Sequence, residues 1–331
     1  MDPIKLPSNQ PPGSFYKGGQ QIADFRNEPN QGPRAAEDWI ASTTCCNGES
    51  SLGKSKLADG SFLADEIAAH AKEWLGPEHL ESFGVDTKLL VKFIDAGQRL
   101  PIHAHPHGKW AKAHLGTAHG KSEAWYILSP GEVYLGLNRD ITAEELLPLV
   151  EKQDIETLIG FMHRVPVKTH QTVYVPAGTL HAIGEGVMVA EVQEPEDLSI
   201  LLEWRDFQID GMKDGHLGLG FEKALGAVDK TKRTEKEISS LVTEEGKFGS
   251  VLAKESNEYF ILERLHFDSE EKCKPGFAIL IALAGRFDLI GENGNSLPIA
   301  KGETVVIPYA TGNFSLRGKG EVLVARPPPK A

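Results

Sequence analysis

Gly97-Gln-Arg-Leu-Pro-Ile-His103-Ala-His105 and, 76 residues after His105, Val175-Pro-Ala-Gly-Thr-Leu-His181 are the stretches whose reading decides the fold. On a strand, side chains alternate faces with a period of two, so His103 and His105 project the same way and can bind one ion. His181 follows a tight turn whose Pro and Gly fix the backbone. An isolated His-x-His is more often a solvated pair; joined to the Pro-x-Gly-x-x-His turn it reads as a metal site. Glu123 opens the strand candidate Ala124–Leu128 and supplies a carboxylate. Three neutral imidazoles and one carboxylate leave a divalent ion net positive with open positions, which suits polarising a substrate carbonyl. Zn2+ is the first expectation, although manganese, iron or nickel would accept the same ligands. No role is assigned to His107, His114, His119, His163, His170 or His216.

Taken together, the two stretches resemble the two-part signature of the cupin superfamily, Gly, five residues, His-x-His, then Pro-x-Gly-x-x-His. The implied fold class is mainly β, with two cupin-like β-barrels (jelly rolls), a small helical insertion and a degenerate second cupin. The pattern of the chain agrees. Strand candidates are Leu89–Ile94, Ala124–Leu128, Val133–Leu137, Gln171–Val175 and Val187–Val192, with another at Asp38–Cys46. Phe62–Leu75 has helical apolar spacing. Thr142 and Glu145 stand in capping-box relation at the start of a helix that Pro148 is expected to kink or split. Residues 211–250 lose strand pattern and read as a linker with short helices. Beyond them Tyr259–Leu265, Phe277–Ala282, Arg286–Ile290, Thr304–Ile307 and Val322–Ala325 are closely spaced strands. The expected organisation is a metal-binding catalytic cupin over 1–210 with its insertion at about 141–160, the linker, and a metal-free cupin over 251–331. Gly302-Glu-Thr-Val-Val-Ile-Pro308 keeps the glycine and proline of a second cupin motif without a histidine.

The 331 residues exceed the usual single-domain length. With 47 acidic residues against 35 basic ones, the net charge of -12 offers no long-range attraction to nucleic acid or an anionic membrane. Three cysteines cannot build a disulfide framework, and no apolar run has the length of a signal peptide or membrane span. The expected setting is cytoplasmic, the expected partner a small-molecule sugar or sugar phosphate, and the expected assembly a monomer or homodimer.

A closer resemblance rests on Ala36-Glu-Asp-Trp-Ile-Ala-Ser42, Lys88-Leu-Leu-Val-Lys-Phe-Ile-Asp-Ala96, Leu100-Pro-Ile-His-Ala-His-Pro106, Gly120-Lys-Ser-Glu-Ala-Trp-Tyr126, Tyr174-Val-Pro-Ala-Gly-Thr-Leu-His-Ala182 and Ala190-Glu-Val-Gln193. In order and spacing these resemble the class I mannose-6-phosphate isomerases, most of all the short bacterial-type members, over nearly the whole chain. The resemblance implies metal ligands His103, His105, Glu123 and His181, where relatives usually carry Gln or Val at the first position. It implies Lys121 in the substrate pocket, assisting ring opening or stabilising an enediolate, and Asp197 as an acid in the proton shuttle. It also marks a departure: four residues past Asp197 relatives keep an arginine, and this chain has Leu201. Arg205 is the candidate to take its place. Trp125 and Trp204 are candidates to stack on a sugar ring. The implied activity is metal-dependent aldose–ketose isomerisation through a cis-enediol, mannose 6-phosphate to fructose 6-phosphate. Two alternatives stand beside it: isomerisation of another sugar, phosphorylated or not, and sugar sensing without turnover.

Overall fold

Leu90–Asp95 and Met188–Gln193 are buried at every position, a pattern that only a strand covered on both sides sustains, and they pair at the centre of a five-stranded antiparallel sheet. In the computed structural model, which describes residues 1–330, that sheet runs in the order Glu37–Ile40, Leu90–Asp95, Met188–Gln193, Glu123–Ser129, Thr172–Val175. A second five-stranded sheet has the order Ile200–Leu201, His103–Ala104, His181–Ile183, Gly131–Leu137, Met162–Val167. These two sheets make the first cupin barrel. The remaining strands form one eight-stranded antiparallel sheet, giving the mainly β, two-cupin fold expected from the motifs.

Several local expectations change. Phe277–Ala282 and Arg286–Ile290 are one strand, Ala278–Ile290, broken only by a bulge between Ala282 and Ala284. Gly285 makes this continuity possible: it holds a φ of 86°, and a Cβ there would lie 2.1 Å from the carbonyl oxygen of Lys319. Phe62–Leu75 is two helices, Leu63–Ala69 and Ala71–Leu75, meeting at His70. Asp38–Cys46 contributes only the short strand Glu37–Ile40. Thr142 and Glu145 do form a capping box, but Pro148 does not split the helix, which runs from Ala143 to Lys152. The anchoring of Leu146 and Val150 in a core beneath the barrel offsets the one backbone hydrogen bond the proline removes.

The N-terminal strand Ile4–Leu6 pairs with Thr304–Ile307 of the C-terminal sheet, and one apolar cluster, including Phe93, Trp125, Leu252, Ile281 and Leu323, runs through both halves. A buried ion pair reinforces the junction. Arg26 donates through Nε to Asp38 and through Nη1 to Thr304 Oγ1 at 3.2 Å, so one guanidinium joins the N-terminal helix to both sheets. Burial raises the Asp38 carboxyl and Arg26 opposes that rise. Arg26→Ala strands an uncompensated carboxylate and is expected to cost about 3–5 kcal/mol in chemical denaturation.

Candidate metal centre and sugar pocket

The site forms where the two barrel sheets face each other. His103 lies directly across from His181 in the strand register, and His105 follows two residues on. The three ring centroids stand 4.1–4.9 Å apart, and one nitrogen of each ring falls within 4.8 Å of the others. Each ring's Nδ1 meets a backbone carbonyl: His103 that of Pro101 at 2.8 Å, His105 that of Leu198 at 2.6 Å, His181 that of Thr179 at 2.8 Å. A carbonyl only accepts, so Nδ1 carries the proton and every Nε2 presents its lone pair to the common centre. This is how ligating histidines are oriented in metal sites.

Glu123, at the start of its strand in the other sheet, completes the cluster. Its Oε2 lies 3.0 Å from His105 Nε2 and its Oε1 3.3 Å from His181 Nε2. All four side chains are buried, and among the described residues His181 Nε2 has no hydrogen-bond partner. A buried polar atom left without a partner is costly unless a ligand satisfies it. Burial pulls the His105 imidazole down to about 3, with the Lys121 ammonium adding to the effect, so the ring stays neutral and free to ligate. Burial raises Glu123, but its charged surroundings, the Lys121 ammonium first, outweigh this and hold it well below the usual carboxylate range. The donor set, with three neutral imidazoles and one carboxylate converging, fits a divalent cation.

Beside this cluster a single register row crosses the first sheet: Trp39, Lys92, Glu191, Trp125. The Lys92 ammonium sits 4.0 Å from the Trp39 ring centroid and 3.2 Å from Glu37 Oε2. The Trp125 indole N–H lies 3.0 Å from Glu123 Oε1 and 3.0 Å from Glu191 Oε2, bridging the two carboxylates. Burial, then repulsion from Glu123, pushes the Glu191 carboxyl up to about 7, against the opposing pull of Lys121 and Lys92. Its Oε1 is buried without a partner. Burial disfavours the Lys92 charge, yet Glu37, Asp197 and Glu191 outweigh it and hold the ammonium above its ordinary range.

Lys121 projects into the same cavity, with Nζ 2.8 Å from His105 Nε2 and 3.0 Å from Glu123 Oε2. Asp197 lines it too, accepting from the Asn47 backbone N–H at 2.9 Å and standing 3.9 Å from Lys92. Arg205 does not reach it: the guanidinium is half exposed on the surface, paired with Glu156 at 3.1 Å. Leu201 lines the cavity at the position the resemblance gives to an arginine, so no guanidinium takes over that place. Trp125 forms part of the wall, whereas Trp204 stacks on Phe221 in a separate core. Lys92 and Glu191 were not singled out from the sequence. The signal was present, since a charge in the middle of a mostly apolar, fully buried strand must be paired or functional.

Residues 252–327 match the family described as mannose-6-phosphate isomerase, cupin domain. The chain is 28% identical over 315 residues to the mannose-6-phosphate isomerase ManA of Bacillus subtilis (strain 168), covering 93% of this chain and 94% of that protein. Over 136 residues, 40% of each chain, it is 36% identical to the mannose-6-phosphate isomerase of Streptococcus mutans serotype c. The crystal structure of the mannose 6-phosphate isomerase from Bacillus subtilis superposes with a TM-score of 0.76 at 23% identity, covering 98% of this chain and 100% of that one; at this identity the likeness speaks for the fold. Among the described residues no helix is long and apolar enough to cross a membrane.

Proposed function

Because the chain belongs to the class I mannose-6-phosphate isomerases of the cupin superfamily, we propose that it is a metal-dependent aldose–ketose isomerase working through a cis-enediol, the reaction type that converts mannose 6-phosphate to fructose 6-phosphate. The observation that carries this reading is the juxtaposition, in one cavity, of the His103, His105, Glu123 and His181 cluster with the buried carboxyl of Glu191, whose Oε1 has no partner among the described residues.

In this reading those four side chains hold a divalent ion, zinc first, which supplies Lewis-acid polarisation of the sugar's carbonyl and hydroxyl oxygens. Glu191 carries the proton between adjacent carbons. Its Oε2 is held by the Trp125 indole N–H while Oε1 lies buried with no partner among the described residues, so one oxygen is free to take a proton from one carbon and return it to the next. The Trp125 N–H fixes the orientation of that carboxyl and spaces it from Glu123. The Lys121 ammonium places positive charge where the enediolate develops, and being buried it acts without the screening of bulk water. Asp197, more exposed and held by Asn47 and Lys92, serves substrate hydroxyls, leaving proton transfer to Glu191. The cytoplasm supplies the sugar.

Coupled assays of metal-loaded protein against a panel of free and phosphorylated hexoses and pentoses test the assignment, and no ketose product from any of them would sink it. Metal binding itself has a separate readout. Titrating metal-free protein with Zn2+ to 100 times the dissociation constant is expected to add about 2.7 kcal/mol of stability in thermal or chemical unfolding. His105→Ala should lose that increment.

A further inference from the structure

Resting on the isomerase reading, we propose that the substrate is an unphosphorylated aldose, whose hydroxyl-bearing tail is bound by the Glu37 and Asp197 carboxylates arranged around Lys92. The charge inventory of the cavity carries this inference. Among the described residues its lining includes two cations, Lys92 and Lys121, against four carboxylates, Glu37, Glu123, Glu191 and Asp197. Lys121 is committed to the ligand cluster, 3.0 Å from Glu123. Lys92 is committed to Glu37 at 3.2 Å and Asp197 at 3.9 Å, and its stem is buried against Trp39. Around Lys92 the carboxylates, Glu37 and Asp197, therefore outnumber the cation.

A phosphate dianion needs the opposite balance, with guanidinium or ammonium groups free to meet its oxygens. The neighbouring cation in the loop leading to His103, Arg99, is already in a two-pronged pair with Glu203, at 2.7 and 2.5 Å. Leu201 adds an apolar wall. The backbone N–H of Asn47 is already taken by Asp197, at 2.9 Å. Sugar hydroxyls, in contrast, donate to carboxylates and accept from an ammonium. A Glu–Lys–Asp set with the Tyr16 hydroxyl, 2.6 Å from Glu37 Oε1, is matched to such groups. Placing a phosphate against Glu37 and Asp197 juxtaposes like charges, which costs several kcal/mol.

The experiment compares binding and turnover on the metal-loaded full chain. Calorimetric titration with mannitol and with mannitol 1-phosphate, neither of which can isomerise, measures tail recognition without chemistry. The unphosphorylated polyol should bind at least about tenfold more tightly, and kcat/KM for free mannose should exceed that for mannose 6-phosphate by a similar factor. Leu201→Arg should move both ratios toward the phosphorylated compounds. Tighter binding of mannitol 1-phosphate by the wild-type chain, or a higher kcat/KM for mannose 6-phosphate, overturns the proposal while leaving the isomerase reading intact. Absence of turnover on every sugar overturns the isomerase reading, and the polyol titration still decides the preference. The wild-type ratios suffice if Leu201→Arg fails to fold.

Discussion

Replacing His105 with alanine is expected to remove the metal and to lower kcat by about 10^3-fold or more, the scale on which loss of a charge-stabilising group acts in a dry site. Two effects converge on this residue. Its Nε2 faces Glu123 at 3.0 Å, so the variant leaves the donor set one ligand short. Its Nδ1 is held by the carbonyl of Leu198, next to Asp197, so the variant also frees the segment bearing that carboxylate. Metal analysis of purified protein and steady-state kinetics check the two consequences separately. His107→Ala is the control. That side chain is exposed and caps the helix Gly108–His114 by accepting from the Trp110 N–H, so its loss should cost about 1 kcal/mol of stability with activity near wild type. An active His105→Ala protein devoid of metal would remove the basis of the mechanism.

Glu191→Gln should reduce kcat by about 10^2–10^4-fold while the metal stays bound. The amide keeps the volume and can still accept from the Trp125 indole, so packing and the spacing of Glu123 survive while the exchangeable proton does not. Retained metal with lost turnover separates this variant from His105→Ala. A second measurement concerns the metal-free protein. The Glu191 carboxyl is raised from 4.5 to about 7 by burial and by Glu123, which means that folding favours its neutral form. Between those two values the unfolded chain has released this proton and the folded chain has not. Stability from this group is therefore complete below about 4.5 and falls as pH rises through about 7. Denaturation of metal-free Glu191→Gln across that range should lack this decline.

What could be read from the sequence follows the reach of each physical signal. The ligand positions rest on spacing alone: a two-residue period puts His103 and His105 on one face, and a Pro-Gly turn sets the backbone before His181. Both signals are local, and the structure brings these residues together. The Thr142–Glu145 capping box is equally local and forms. Features decided by tertiary contact were less legible. Apolar spacing runs unbroken through His70, and nothing nearby in sequence shows that the helix bends there. Gly285 reads as a turn, and only its pairing with Gly320 keeps it inside a continuous strand, just past the bulge between Ala282 and Ala284. Arg205 lies four residues past Leu201, but the chain turns after Ile200–Leu201 and carries it to the surface beside Glu156. Glu191 and Lys92 are neighbours across a ladder, and sequence separated them by 99 positions.

The pairing of Ile4–Leu6 with Thr304–Ile307 has a consequence for the order in which the molecule is made. Ile4–Leu6 is synthesised long before the strand with which it pairs. The N-terminal helix and barrel can collapse earlier, but Arg26 finds Thr304 only at the end. This pairing therefore forms after the histidine cluster's own strands have been made, and a bulky group placed directly ahead of Ile4 would obstruct it while leaving those strands free to assemble.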